Sequence, residues 1–183
     1  MQFIKQKIND LVLIQPVVHG DSRGFFMETY RKSMFFQNGI QNDFIQSNHA
    51  KSSKNVLRGL HYQLEPREQG KLVRVTRGAV LDVAVDIRKS SPTFGKHVMV
   101  ELTEENKHIF WVPPGFAHGY ITLTNDTEFQ YQVTNEYSPE HERGICFDDP
   151  DIGIEWPVAV SELLVSERDK SLPLLKDQKD LFQ

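Results

Sequence analysis

Lys71-Leu72-Val73-Arg74-Val75-Thr76-Arg77, a break at Gly78, then Ala79-Val80-Leu81-Asp82-Val83-Ala84-Val85-Asp86-Ile87 is the stretch that decides the fold. Apolar and polar residues alternate with a period close to two, which places them on opposite faces of an extended chain. Working outward, Lys96–Leu102, Ile109–Val112, Tyr120–Thr124 and Glu128–Thr134 read as further short strands. Turn chemistry separates them at Ser90-Ser91-Pro92, Glu104-Glu105-Asn106, Pro113-Pro114-Gly115 and Asn125-Asp126. Strands recurring every 8–12 residues or so predict an all-β sandwich or barrel. Helix is scarce. Lys32–Asn38 is a short segment beginning near Ser33 and stopped by Gly39, Val158–Val165 is another, and Pro173–Lys179 a third. The pattern predicts a jelly roll, whose antiparallel strands, about eight in number, close a sandwich with a ligand-sized mouth, decorated by short peripheral helices.

The remaining bounds agree with one globular domain over residues 1–183. Apolar residues make up 39% of the chain, far from a disordered composition. A net charge of −4 and a pI near 6.0 exclude a generic nucleic-acid binder. Cys146 is the single cysteine, so no intrachain disulfide can form, and its setting, Gly144-Ile145-Cys146-Phe147, reads as that of a small buried hydrophobe. Met1–Lys7 carries charges where a secretory signal needs an apolar run, and no apolar stretch approaches the roughly 20 residues that span a bilayer. A cytoplasmic protein without membrane or nucleic-acid partners is expected.

Several polar clusters carry the chemistry. His61, in Val56-Leu57-Arg58-Gly59-Leu60-His61-Tyr62-Gln63, is the best general base, because an imidazole titrates near neutral pH. A base of this kind works best when its other ring nitrogen is held by a carboxylate; Asp169, Asp82 and Asp86 all qualify, and spacing alone does not select among them. Lys71 can hold a developing oxyanion. Tyr131 alternates with Phe129 and Val133, where a phenol is either a core ring or a proton donor, and the local sequence favours the core ring. Pro114-Gly115-Phe116-Ala117-His118 lies in a P-x-G-x-x-H pattern like that of metal-binding cupin jelly rolls, with Gly59 to Glu68 where the partner motif would fall. In that partner motif Gln63 stands where a second histidine is needed, so a metal site would be left with His61, Glu68 and His118. The metal-free account uses more of the chain, and no metal or other cofactor is expected.

Four segments in order, D-x-R-G-F-F-x-E-x-Y, VLRGLHYQ, K-x-V-R-V-x-x-G-x-V-x-D-V-x-V-D-I-R and P-P-G-F-A-H-G, resemble the dTDP-4-dehydrorhamnose 3,5-epimerases from about Asp10 to Lys170. The resemblance implies a cofactor-independent, cupin-type epimerase acting on a dTDP-4-keto sugar. It makes His61 the base, Asp169 its orienting carboxylate, Lys71 the enolate-stabilising cation and Tyr131 the proton donor on the opposite face. It makes Arg23, Glu28, Gln46, Ser47, Asn48, Arg58, His118, Tyr137, Glu142 and Arg168 substrate contacts, with Tyr137 the ring that stacks on thymine. Arginines suit a diphosphate through charge-assisted, bidentate bonds. The resemblance also implies a homodimer in which the Arg23–Glu28 segment reaches the partner's pocket. One position departs from the pattern: Arg168 stands where the family carries lysine, which is neutral if only the backbone is used there.

Overall fold

The computed structural model describes residues 1–183. In chain order the strands are β1 (Gln2–Lys5), β2 (Val12–Gln15), β3 (Val18–Asp21), β4 (Gly24–Met27), β5 (Gln46–Ser52), β6 (Val56–Gln63) and β7 (Lys71–Arg77). They continue as β8 (Ala79–Asp86), β9 (His97–Thr103), β10 (Ile109–Val112), β11 (Phe116–Thr122), β12 (Thr127–Val133), β13 (Glu142–Gly144) and β14 (Leu164–Val165). Helix is confined to α1 (Lys32–Gln37), α2 (Glu167–Lys170) and single 3-10 turns at Val160–Glu162 and Leu175–Asp177. None of these helices is long and apolar enough to cross a membrane.

One six-stranded sheet runs β1-β2-β10-β7-β12-β5. The second runs β13-β6-β11-β8-β9, with β14 added in parallel to β6, and β3–β4 forms a separate hairpin. The all-β jelly-roll expectation therefore holds, and the segment that decided it, Lys71–Arg77, is a strand from end to end. β7 and β8 lie in different sheets, joined through Gly78, whose φ of 77° is one a side chain tolerates poorly.

Alternation along the two strands explains the layers. Val73 and Val75 of β7 join Val80 and Ala84 of β8, with Phe110, Phe116 and Phe129, in the core between the sheets. Leu72 faces the opposite way and packs with Ile14, Ile109 and Trp111 under Phe35 of α1. On β8 the other face is buried as well: Val83 and Val85, with Ile87 just past the strand, lie under Ile152, Leu175 and Leu181 of the C-terminal segment. Each such side chain contributes roughly 1.5–3 kcal/mol when fully buried.

Several sequence readings need correction. Val158–Val165 is not a continuous helix and holds only the 3-10 turn Val160–Glu162 before β14. Leu163 is pulled into the core beside Leu57, Ile121 and Phe147, and the Leu164 N–H then bonds to the Asn55 carbonyl at 2.8 Å, which starts β14. α1 is preceded by Arg31, which makes no side-chain cap, and Ser33 lies inside the helix. β11 spans Phe116–Thr122 and so begins before the expected Tyr120, which puts His118 inside the strand. Cys146 is half-buried instead of enclosed; its thiol donates to Asp148 Oδ1 at 2.8 Å, and burial with that carboxylate pushes it up to about 11.

The crossing of β6 and β11 is unusually close. Gly59 has φ 124°, and a Cβ there would sit 2.7 Å from the Gly119 Cα. A Cβ on Gly119 would in turn lie 2.6 Å from the Arg58 carbonyl oxygen. The register shifts between His118 and Tyr120 at the same place. Gly59→Ala combines a disfavoured φ with a backbone clash, and is expected to lower stability by about 3 kcal/mol or more. Urea unfolding of the variant measures this; a midpoint equal to the parent's would show that the close approach is not needed.

Candidate active site

His61 leaves β6 just after this crossing, in register with His118 of β11. Its Nε2 lies 2.8 Å from Asp169 Oδ1. The second carboxylate oxygen of Asp169 accepts from the Gly59 N–H at 3.3 Å. Asp169 is fixed in turn by α2, where Ser166 caps the helix by accepting the Asp169 N–H at 3.1 Å. Burial pushes the Asp169 carboxyl up, but the His61 bond and charge, the Gly59 N–H and Arg168 together hold it below the usual carboxylate value. The structure thus selects among the three aspartates. Asp169 orients His61, Asp82 bonds His118, and Asp86 accepts from Arg88, Ser91 and Thr93.

The His61 ring opens into a cavity of about 470 Å³ between the sheets, lined also by Arg58, Lys71, His118, Tyr131 and Arg168. A second hollow of about 350 Å³ adjoins it, sharing His61, Lys71 and Tyr131 and extending to Gln46, Asn48, Tyr137 and Glu142. Lys71 is half-buried, and its Nζ donates to the His61 carbonyl at 3.3 Å. Burial lowers its pKa to about 8, against the opposing pull of Asp82 and Glu142. Tyr131 projects inward from β12 with Phe129, whose ring lies 6.0 Å from its own. Burial raises the Tyr131 phenol, so at neutral pH it keeps a proton to give. Tyr131 also pairs across the sheet with Asn48 of β5.

The rim carries the other polar groups. Glu142 Oε2 accepts from the Tyr137 hydroxyl at 2.7 Å and pairs with Arg168 at 2.5 Å. The Arg168 side chain is thus tied into the rim through Glu142. The Tyr137 N–H donates to Gln46 Oε1, and Gln46 Nε2 donates to Asn48 Oδ1, both at 2.9 Å. Half of Tyr137 (51%) remains exposed at the rim. Arg58, exposed in the cavity, donates weakly to Ser52 Oγ at 3.3–3.4 Å.

Four residues named by the sequence lie elsewhere. Ser47 sits between Gln46 and Asn48, so the pleat turns its side chain to the outer face of β5, toward Thr29, Tyr30 and Arg74. Arg23 pairs with Asp21 at 2.6 Å on the exposed β3–β4 hairpin, and Glu28 pairs with Arg31 at 3.2 Å; neither lines the cavity. Glu68 lines a separate hollow with Arg88 and Pro114, so it does not join His61 and His118 as a third ligand. Gln63, the position that weakened the metal pattern, is buried and structural. It donates to the Arg67 and Glu136 carbonyls and accepts the Ser138 N–H at 2.8 Å, pinning the loop that presents Tyr137.

Two features escaped sequence reasoning: the buried His118–Asp82 pair, and the Gly59–Gly119 contact that brings β6 to β11. A glycine on each strand was the visible signal for the second.

The family model described as dTDP-4-dehydrorhamnose 3,5-epimerase matches residues 5–177. The chain belongs to the dTDP-4-dehydrorhamnose 3,5-epimerase family. It is 54% identical over 170 residues to the dTDP-4-dehydrorhamnose 3,5-epimerase of Shigella flexneri, covering 92% of this chain and 93% of that one. A crystal structure of the Legionella pneumophila dTDP-6-deoxy-D-glucose-3,5-epimerase in complex with dTDP-4-keto-L-rhamnose superposes with a TM-score of 0.95 at 44% identity, covering 100% of this chain and 97% of that one. A 3'-monoepimerase from Streptomyces bikiniensis, solved with dTDP-quinovose, superposes with a TM-score of 0.88 at 36% identity, over 94% of this chain and 87% of that one. The epimerase fold thus reaches across this chain from end to end, and it carries both double and single epimerisation.

Proposed function

We propose that this epimerase inverts carbons 3 and 5 of dTDP-4-dehydro-6-deoxy-D-glucose, giving dTDP-4-dehydro-L-rhamnose, by proton removal beside the ketone and reprotonation on the opposite face. The observation that supports the reading most is the convergence of His61, Lys71 and Tyr131 on the shared wall of the two hollows. A neutral His61 takes the proton, and Asp169, bonded to its ring, stabilises the imidazolium that forms. The electron pair moves to the oxygen on carbon 4, where the Lys71 ammonium meets it. Tyr131 or water returns a proton from the other face. His61 then passes its proton to solvent, and the ring is ready for the second carbon.

The rim suits the nucleotide. Tyr137 offers its exposed face to thymine, and Arg58 offers a guanidinium to the diphosphate. The reading further takes the enzyme as a cytoplasmic homodimer. Phe25 and Phe26, 58% and 71% exposed on the β3–β4 hairpin, support an interface, and the hairpin would bring Arg23 and Glu28 to a partner's cavity.

Incubation with the dTDP-4-keto-6-deoxy sugar in heavy water tests the reaction. NMR is expected to show deuterium at both carbon 3 and carbon 5 of an L-configured product. Label at carbon 3 alone would make the enzyme a single epimerase, and no label at either carbon would remove the epimerase reading.

A further inference from the structure

We propose that Gln63 is a positioning residue for the nucleotide: its side-chain amide holds the backbone on either side of Tyr137, and so sets how tightly the rim takes the dTDP moiety. Its part in binding rests on the reading of Tyr137 as the ring that meets thymine.

Tyr137 lies in residues 134–141, an irregular segment between β12 and β13. No strand ladder satisfies the backbone there, so side chains must hold it in place. Gln63, 2% exposed at the end of β6, supplies the bonds that bracket the ring. Its Nε2 donates to the Glu136 carbonyl at 3.2 Å and to the Arg67 carbonyl at 2.6 Å, and its Oε1 accepts the Ser138 N–H at 2.8 Å. The residue before Tyr137 and the residue after it are thus held by one planar amide. The partners fix which way that amide points. Two carbonyls only accept and a backbone N–H only donates, so a single arrangement of the NH2 and the oxygen satisfies all three. Tyr137 adds two bonds of its own, N–H to Gln46 Oε1 at 2.9 Å and hydroxyl to Glu142 Oε2 at 2.7 Å.

His61 and Gln63 sit two apart on β6 and share a face, and both line the hollow that Tyr137 and Glu142 border. Glu142 of β13 is the register partner of Gln63. One short piece of strand therefore carries the base for the sugar and the clamp for the nucleotide ring, and fixes the span between them. The same bonds account for the residue that broke the metal pattern. A neutral histidine at position 63 offers one donor and one acceptor, and could not hold both carbonyls and the N–H at once. The position that a metal-binding cupin gives to a ligand is here given to the loop.

Gln63→Met keeps the length and removes the three bonds. Calorimetry with dTDP is expected to show a Kd raised about tenfold, the size of one misplaced stacking contact. KM for the keto sugar should rise in step, while kcat stays within about twofold of the parent's. A purely structural role would neither confine the loss to binding nor make it vanish without the ring. On a Tyr137→Ala background, Gln63→Met is expected to leave Kd unchanged. A folded Gln63→Met with the parent's affinity for dTDP, or a loss that adds in full to that of Tyr137→Ala, would overturn the proposal. Tyr137→Ala alone separates the premise: parental affinity in that variant would remove the reading of the rim as the nucleotide site, and the role of Gln63 with it. None of these binding measurements needs turnover, so a failure of the epimerase reading shows separately, as a parent without proton exchange at either carbon. Should Gln63→Met not fold, hydrogen exchange in the unliganded parent decides. The Ser138 amide, whose partner is Gln63, is expected to exchange about a hundredfold or more slower than an unstructured amide; exchange at the unstructured rate would overturn the clamp.

Discussion

His61→Asn is expected to lower kcat on the order of a hundred- to ten-thousand-fold while dTDP binding stays close to the parent's. In the proposed reaction the base acts on the sugar and the nucleotide is assigned to the rim around Tyr137, Glu142 and Arg168, none of which bonds to His61. Asparagine is the informative replacement. Its amide can still donate to Asp169, whose side chain is only 6% exposed. His61→Ala would strand that carboxylate without its main partner, at a cost on the order of 3 kcal/mol, and would mix loss of stability with loss of chemistry. Turnover followed by NMR, and calorimetry with dTDP, separate the two effects. A rate near the parent's would remove His61 from the role of base.

Lys71→Met is the second large effect. Removing one preorganised donor from an oxyanion typically costs a hundred- to a thousand-fold in kcat, and the same loss is expected here. The fold should survive. Burial disfavours the ammonium and lowers its pKa to about 8, so a methionine of similar length gains from burial while Asp82 and Glu142 lose a cation. The variant should therefore unfold close to the parent's melting temperature and still bind dTDP. Such a split, with lost turnover and retained fold, is what a charge held for the transition state produces. A drop in melting temperature with kcat intact would make Lys71 a structural residue.

What could be read in advance depended on how local its cause was. Lys71–Arg77 and Ile109–Val112 were legible to the residue, because alternation and flanking turns settle a short strand. Val158–Val165 was misread because its apolar spacing serves packing against Leu57 and Ile121, a contact no window of neighbouring residues contains. Asp82 is the subtler case. The sequence leaves Asp82 as one of three aspartates able to hold His61. The C-terminal segment covers Val83 and Val85, so the other face of β8, which carries Asp82, points inward, and Asp82 bonds His118 instead.

The His61–Asp169 pair shows the same limit. His61 and Asp169 are 108 residues apart, and spacing alone did not choose Asp169 over Asp82 or Asp86. The resemblance chose it, and the hydrogen bond agrees. The Ser47 side chain lies apart for a local reason that was available: neighbours on a strand face opposite ways, so Gln46, Ser47 and Asn48 cannot all enter one cavity through their side chains.

The central claim is that the imidazole of His61 removes hydrogen from the carbons flanking the ketone. Wash-in of solvent deuterium tests it directly, with His61→Asn and the parent run side by side at equal occupancy of dTDP-4-keto-6-deoxyglucose. The account predicts rapid label at carbons 3 and 5 for the parent and none above background at either carbon for the variant. Label appearing at parental rates in the variant would contradict it.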